Sequence, residues 1–167
     1  AMSIALSTAI LVLIILLLIM ISAFFSSAET ALTAASEARI RQLAKTKANR
    51  QARRVEKLRR NKEELISTIL VGNNLVNILA SALATSAAIS LTGDGGVALA
   101  TLVMTVIIVL FAEVLPKSYA FNNADRFSLK IALIVQIIVW TLKPVTWSLR
   151  VIVIRLLRNK SEEGTSR

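Results

Sequence analysis

The 167-residue chain is 55% hydrophobic, has a mean hydropathy of +0.68 and carries a formal charge of +10. That profile excludes an ordinary water-soluble globule, whose apolar share is lower and more dispersed. With neither Cys nor His, disulfides, Fe–S clusters and thiolate sites are excluded and zinc or copper is disfavoured. Any bound metal must be held by oxygen, which favours Mg2+, Ca2+, Na+ or Mn2+.

Residues 4–25 form the first apolar block. The block is too long for a signal-peptide core and lacks a basic start and a clear cleavage site, so it is predicted to stay as a transmembrane helix. Beyond Phe25 the chain turns small and polar (SSAETALTAAS), then strongly basic. Residues 37–64 hold eleven Lys/Arg against four Glu, with no Pro or Gly, and predict one or two helices at the membrane surface. The positive-inside rule puts this loop in the cytoplasm, with attraction to anionic headgroups as a secondary role. Nucleic acid is disfavoured as a partner, because no aromatic side chains interleave the basic run.

Residues 65–91 make the second span, without a single charge. The sequence Thr92-Gly93-Asp94-Gly95-Gly96 predicts a tight turn, and residues 97–115 the third span. With the basic loop inside, the N-terminus and the glycine-rich turn lie outside and residues 116–127 inside. Residues 128–147 are apolar enough to span, yet Lys143-Pro144 interrupts them, and Arg150, Arg155 and Arg158 lie beyond. The expectation is a re-entrant or interfacial helical pair over 128–158 that returns the C-terminus to the cytoplasm, with a plain fourth span as the alternative. Residues 159–167 read as a polar tail or the start of a linker. The fold class expected is an all-α integral membrane domain with three transmembrane helices per subunit plus juxtamembrane or re-entrant helices.

Polar groups inside such blocks mark function, since a charge at membrane depth faces a partner, a cavity or a substrate path. Glu113 ends the third block and is the sharpest feature. Pro116 removes the amide that would bond the Ala112 carbonyl, leaving a second oxygen beside the carboxylate. In the second block Asn73 and Asn77 are four apart and share a face, beside Gly72. Ser67 lies two turns before Asn74. Ser22 and Ser26 are four apart in the first block, followed by Ser27 and Glu29. A carboxylate, hydroxyls and amide oxygens suit a hard cation. The bland readings are interhelical hydrogen bonds for the amides, back-bonding to carbonyls for the serines, solvation for Glu29, and pairing of Glu113 with Lys117 or Arg126. No nucleophile–base pair, phosphate loop or paired carboxylates for hydrolysis stand out, so an enzyme has little support.

The segments SAFFSSAETAL, LISTILVGNNLVNILAS and FAEVLPKSYA, in this order, resemble the membrane domain of the CNNM/CorC magnesium transporters, the DUF21 module, across about residues 3–158. The resemblance implies a homodimer with three transmembrane helices per subunit and a belt of juxtamembrane helices. It further implies Mg2+ as transported substrate, exported, with Na+ as the coupling ion in at least some members. Its metal ligands carry over to Ser22 and Ser26, to Ser67, Asn73 and Asn77, and to Glu113; Asn74 and Glu29 stay open. Family members continue into cytoplasmic CBS domains that bind ATP, which these 167 residues do not include. Together these readings predict a multi-pass protein of the inner (plasma) membrane that exports Mg2+ against Na+. The alternative is a membrane scaffold or cation sensor that regulates another transporter, and a channel is a third option.

Overall fold

The computed structural model describes residues 2–46 and 49–163, with side chains over 7–46, 49–93 and 95–157. Seven helices succeed one another among these residues: α1 (Met2–Ala34), α2 (Glu37–Lys45), α3 (Arg50–Arg60), α4 (Lys62–Thr92), α5 (Gly96–Ile107), α6 (Leu115–Asn122) and α7 (Ala124–Glu163). A 3-10 turn, Gly93–Gly95, joins α4 to α5, and a π-helical segment, Ile108–Val114, joins α5 to α6 without a break. No strand occurs among the described residues, and the all-α expectation stands.

α1 runs nine residues past the apolar block that announced it. Its hydroxyls are accommodated within the extension. Ser27, Thr30 and Thr33 donate to the carbonyls of Ala23, Ser26 and Glu29 at 2.8, 3.1 and 2.8 Å. These three hydroxyls are thus satisfied inside their own helix, and helix geometry continues where composition alone suggested an end. Ser36 and Asn49 cap α2 and α3, accepting from the amides of Arg39 and Ala52. These two helices bury Ile40, Ala44, Ala52, Val55 and Leu58 and leave most of their basic side chains outward. Amphipathic spacing puts one face of each basic helix against the bundle.

α1 and α4 pack antiparallel: Phe25 lies against Gly72, and Leu18 and Ile19 share a buried cluster with Ala80. Gly72 is what permits this approach, because a Cβ there would stand 2.5 Å from the Phe25 ring. At the far end the α4–α5 reversal uses Gly93 at φ 72°, inside the left-handed region that L side chains disfavour.

Among the described residues four helical stretches are long and apolar enough to cross a membrane: Ser7–Ala34, Lys62–Thr92, Gly96–Asn122 and Ala124–Leu157. The last corrects the expected re-entrant or interfacial helical pair in one respect, that it is a single helix. α7 is one continuous helix with Pro144 inside it. A proline removes a single backbone donor, and ion pairs hold α7 to the start of α4 on both sides of it: Lys143 to Glu64 at 4.0 Å and Arg150 to Glu63 at 3.6 Å. Of the expected polar tail, residues 159–163 continue α7, and 164–167 lie outside the described residues.

The course of α7 is set by its two ends. Asp125 accepts from the Ser36 amide at 2.7 Å and pairs with Arg39 at 3.4 Å, at the C-terminal end of α1. Eighteen residues on, or about 27 Å of helix, Lys143 meets Glu64 at the N-terminal end of α4. In an antiparallel pair those are the same end. Between them Ile131, Ala132 and Val135 share a core with Ile40, Val55, Leu58 and Leu65. α7 therefore runs across the end of the bundle where the basic helices sit.

Gly72→Val should lower the thermal unfolding temperature of the purified protein, because overpacking of this kind costs about 1–3 kcal/mol. Gly95→Ala should leave it unchanged: its φ is −65° and nothing lies within 4 Å of the added carbon.

Candidate cation site

The site begins with an irregularity of the backbone. Over Ile108–Val114 the helix widens, and the Leu115 amide bonds the Leu110 carbonyl, five residues back. Such a segment inserts one residue into the turn and re-aims the side chains on either side of it. In the same five-residue pattern Pro116 stands opposite the carbonyl of Phe111, not that of Ala112. The proline still frees a carbonyl, one position earlier than the α-helical count gives.

Glu113, inside this segment, faces α4 and α1. Its Oε1 accepts from the Asn73 Nδ2 at 3.0 Å, and the Asn73 Oδ1 accepts from the Ser22 hydroxyl at 2.6 Å. One amide therefore links the first, second and third apolar stretches. Ser22 is fully buried, and Glu113 keeps 30% of its side chain exposed, so the chain of bonds leads from the interior to an accessible carboxylate. The other carboxylate oxygen, Oε2, lies 3.1 Å from the Lys117 ammonium, which also lies 3.5 Å from Glu29 Oε2 on α1. Ser27, one turn from Ala23, reaches the Pro116 carbonyl at 3.4 Å and ties α1 to the start of α6.

Two further oxygens are buried without a hydrogen-bond partner: Ser26 Oγ and Asn77 Oδ1. Ser26 faces the Glu113 carboxylate, without a hydrogen bond of acceptable geometry. A buried, unsatisfied polar atom costs about 1–3 kcal/mol, so each is an oxygen for which a cation or its water would supply a partner. Among the described residues no three carboxylates converge. An ion here rests on at most two, Glu113 and Glu29, with hydroxyl and amide oxygens and its own waters around them. That donor set fits a hard cation that stays partly hydrated.

Of the six residues singled out in the sequence, Ser22, Asn73 and Glu113 are joined by direct hydrogen bonds. Ser26 and Asn77 bring unpartnered oxygens. Ser67 is half-buried and no hydrogen bond links it to the other five. Six residues of helix separate it from Asn73, which turns it well away from the Gly72–Asn73 face. Asn74 is exposed. Glu29 and Lys117 are the residues that sequence reasoning undervalues. Their residue types and positions suggest no more than a solvated group and a pairing partner, and the shared ammonium becomes visible only when α1 and α6 are brought side by side.

Comparison with known proteins supplies the family. The model of the cyclin M transmembrane N-terminal domain matches residues 13–167. The UPF0053 inner membrane protein YfjD of Escherichia coli is 44% identical over 138 residues, which cover 83% of this chain and 32% of that protein. A UPF0053 protein of Haemophilus influenzae is 38% identical over 149 residues, 89% of this chain and 35% of that protein. A chloroplastic DUF21 domain-containing protein of Arabidopsis thaliana is 40% identical over 127 residues, covering 76% of this chain and 18% of the relative. The chain thus spans about a third of the length of its bacterial relatives. With four apolar helices of spanning length and these relatives, it is a multi-pass membrane protein. The chain belongs to the CNNM family, as the transmembrane N-terminal domain that defines it.

Proposed function

We propose that this chain is the ion-conducting part of a Mg2+ exporter that couples efflux to inward Na+ movement. The observation that carries the reading is the link Ser22–Asn73–Glu113, flanked by the unpartnered oxygens of Ser26 and Asn77. Family membership supports the same reading.

The residues divide the work by chemistry. Glu113 supplies the charge that offsets a dication in a poorly solvating surround. Ser22, Ser26 and Asn77 supply neutral oxygens in place of waters the ion sheds. Asn73 now turns its nitrogen to Glu113 and its oxygen to Ser22. Rotation of that amide by half a turn would present the oxygen to an ion on Glu113 and leave the nitrogen toward Ser22, whose hydroxyl can accept as well as donate. Asn73 thereby acts as a switch between an empty and a loaded arrangement, and Ser22 serves either one. Mg2+ retains several waters on a few carboxylates, so two carboxylates suffice.

The membrane placement rests on the same logic. We infer that the basic helices α2 and α3 lie at the cytoplasmic face of an inner membrane, with the N-terminus and the α4–α5 turn outside. α7 then lies along that face as an interfacial helix, since it crosses the end of the α1–α4 pair. Its exposed Trp140 and Trp147 are seven residues apart on one side, the position at which headgroups favour indole rings. The outward apolar side chains of α1, α4 and α5 face lipid or a second copy of the chain in a homodimer. Cytoplasmic CBS domains following in the longer protein would regulate it.

A second reading has one observation in its favour. Lys117 already pairs with Glu113, as in a scaffold or sensor whose polar residues serve only structure.

Flux separates the two. Vesicles containing this protein as their sole component should move Mg2+, with Glu113→Gln reducing the flux by at least about tenfold, the usual scale for losing a neutralising charge. Mg2+ movement unchanged by Glu113→Gln would remove that carboxylate from the path, and absence of flux and of saturable Mg2+ binding would favour the scaffold. The placement of α7 is checked by fluorescence, because the two tryptophans of the chain both lie on it. Bromines near the headgroups should quench both; stronger quenching by bromines near the bilayer centre would mean that α7 spans.

A further inference from the structure

Lys117 is more than a partner for Glu113. Its ammonium touches two carboxylates that come from different helices, Glu29 on α1 and Glu113 in the π segment, at 3.5 and 3.1 Å. The three groups together leave one net negative charge. They also sit at the accessible end of the polar chain that runs inward through Asn73 to Ser22. The Lys117 side chain is 43% exposed, so its flexible four-carbon stem has solvent to retreat into.

Charge balance then distinguishes two occupied states. With the ammonium in place, one additional monovalent cation neutralises the trio. With the ammonium withdrawn, one divalent cation neutralises the two carboxylates. A divalent ion beside the inserted ammonium, or a single monovalent ion without it, leaves a charge uncompensated in a site only partly open to solvent, which is the less favourable outcome. We propose that Lys117 is a tethered cation that selects ion valence: inserted between Glu29 and Glu113 it sets the site for a monovalent ion, and displaced to solvent it sets the site for a divalent one.

This assignment rests on the transport reading and adds to it a reason why Mg2+ and Na+ exclude each other. The ions need not compete for identical oxygens. Mg2+ must expel Lys117 to bring both carboxylates to itself or to its bound waters, and Na+ is best accommodated while Lys117 stays. The two carboxylate oxygens are no farther apart than two ion-pair contacts, because one ammonium reaches both, and a partly hydrated Mg2+ bridges such a gap. Mutual exclusion of this kind is what an exchanger requires of its binding site.

The experiment is calorimetric titration of the purified chain with MgCl2 at fixed ionic strength, with and without Na+, for wild type, Lys117→Met, Lys117→Arg and Glu113→Gln. Lys117→Met removes the internal competitor and should tighten Mg2+ binding by at least about tenfold, with competition by Na+ much reduced. Lys117→Arg keeps the charge and should remain as weak a Mg2+ binder as wild type. Equal or weaker Mg2+ binding by Lys117→Met would overturn the proposal if Lys117→Arg is folded and binds likewise. So would tightening by Lys117→Arg as large as that by Lys117→Met, since charge would then not be the cause. Saturable wild-type binding that Glu113→Gln abolishes, with Lys117→Met unaltered, sinks valence selection and leaves the transport site standing. Absence of wild-type Mg2+ binding sinks both.

Discussion

Asn73 satisfies two helices at once, and the centre of the bundle is organised around that fact. Its oxygen accepts a hydrogen bond from the Ser22 hydroxyl and its nitrogen donates one to the Glu113 carboxylate. Ser22 is fully buried, so its hydroxyl must be answered by protein rather than by water. The individual bonds are modest; interhelical polar contacts in membranes average about 0.6 kcal/mol. Their consequence is positional. They bring a carboxylate from the third apolar stretch to the polar face of the second, and Gly72 lets α1 close on α4 beside them.

The π segment makes this compatible with a continuous helix. α5, Ile108–Val114 and α6 run on without a loop, so α-helical geometry throughout would have fixed the register of Glu113 relative to Met104 and Ala120, which are buried against the bundle. One extra residue in the turn separates the demands of side-chain contact above and below from the aim of the carboxylate. Pro116 comes next, in the first turn of α6, and takes one backbone donor out of this continuous run. The Ser27 hydroxyl contacts its carbonyl and holds the start of α6 to α1.

At the basic end the structure solves a different problem. α2, α3 and the first half of α7 share one hydrophobic core, with Ile40, Val55 and Leu58 facing Ile131, Ala132 and Val135. Charged residues then fasten its margins: Asp125 to Ser36 and Arg39, Arg59 to the Ala35 carbonyl, Lys143 to Glu64. The exposed ion pairs contribute little each, whereas the shared core sets the angle at which α7 crosses. α7 in turn covers the basic-side ends of α1 and α4.

Much of this was legible in the residues themselves. Apolar block length announced the helices, the run of eleven Lys/Arg over 37–64 marked one face, and the absence of Cys and His reduced any metal site to oxygen. The pairing of Glu113 with Asn73, rather than with Ser67, was not legible. Neither were the sharing of Lys117 between two carboxylates, the π register around Pro116 and the continuity of α7 through Pro144. Composition and period act over a few residues, and they determined element type and donor chemistry because burial in lipid selects on both. The other features depend on contacts between residues 40, 51 and 88 positions apart in sequence, as for Asn73 with Glu113, Ser22 with Asn73 and Glu29 with Lys117. Only the packed helices could decide those, because which polar atoms meet is settled by the angle and depth at which whole helices come together.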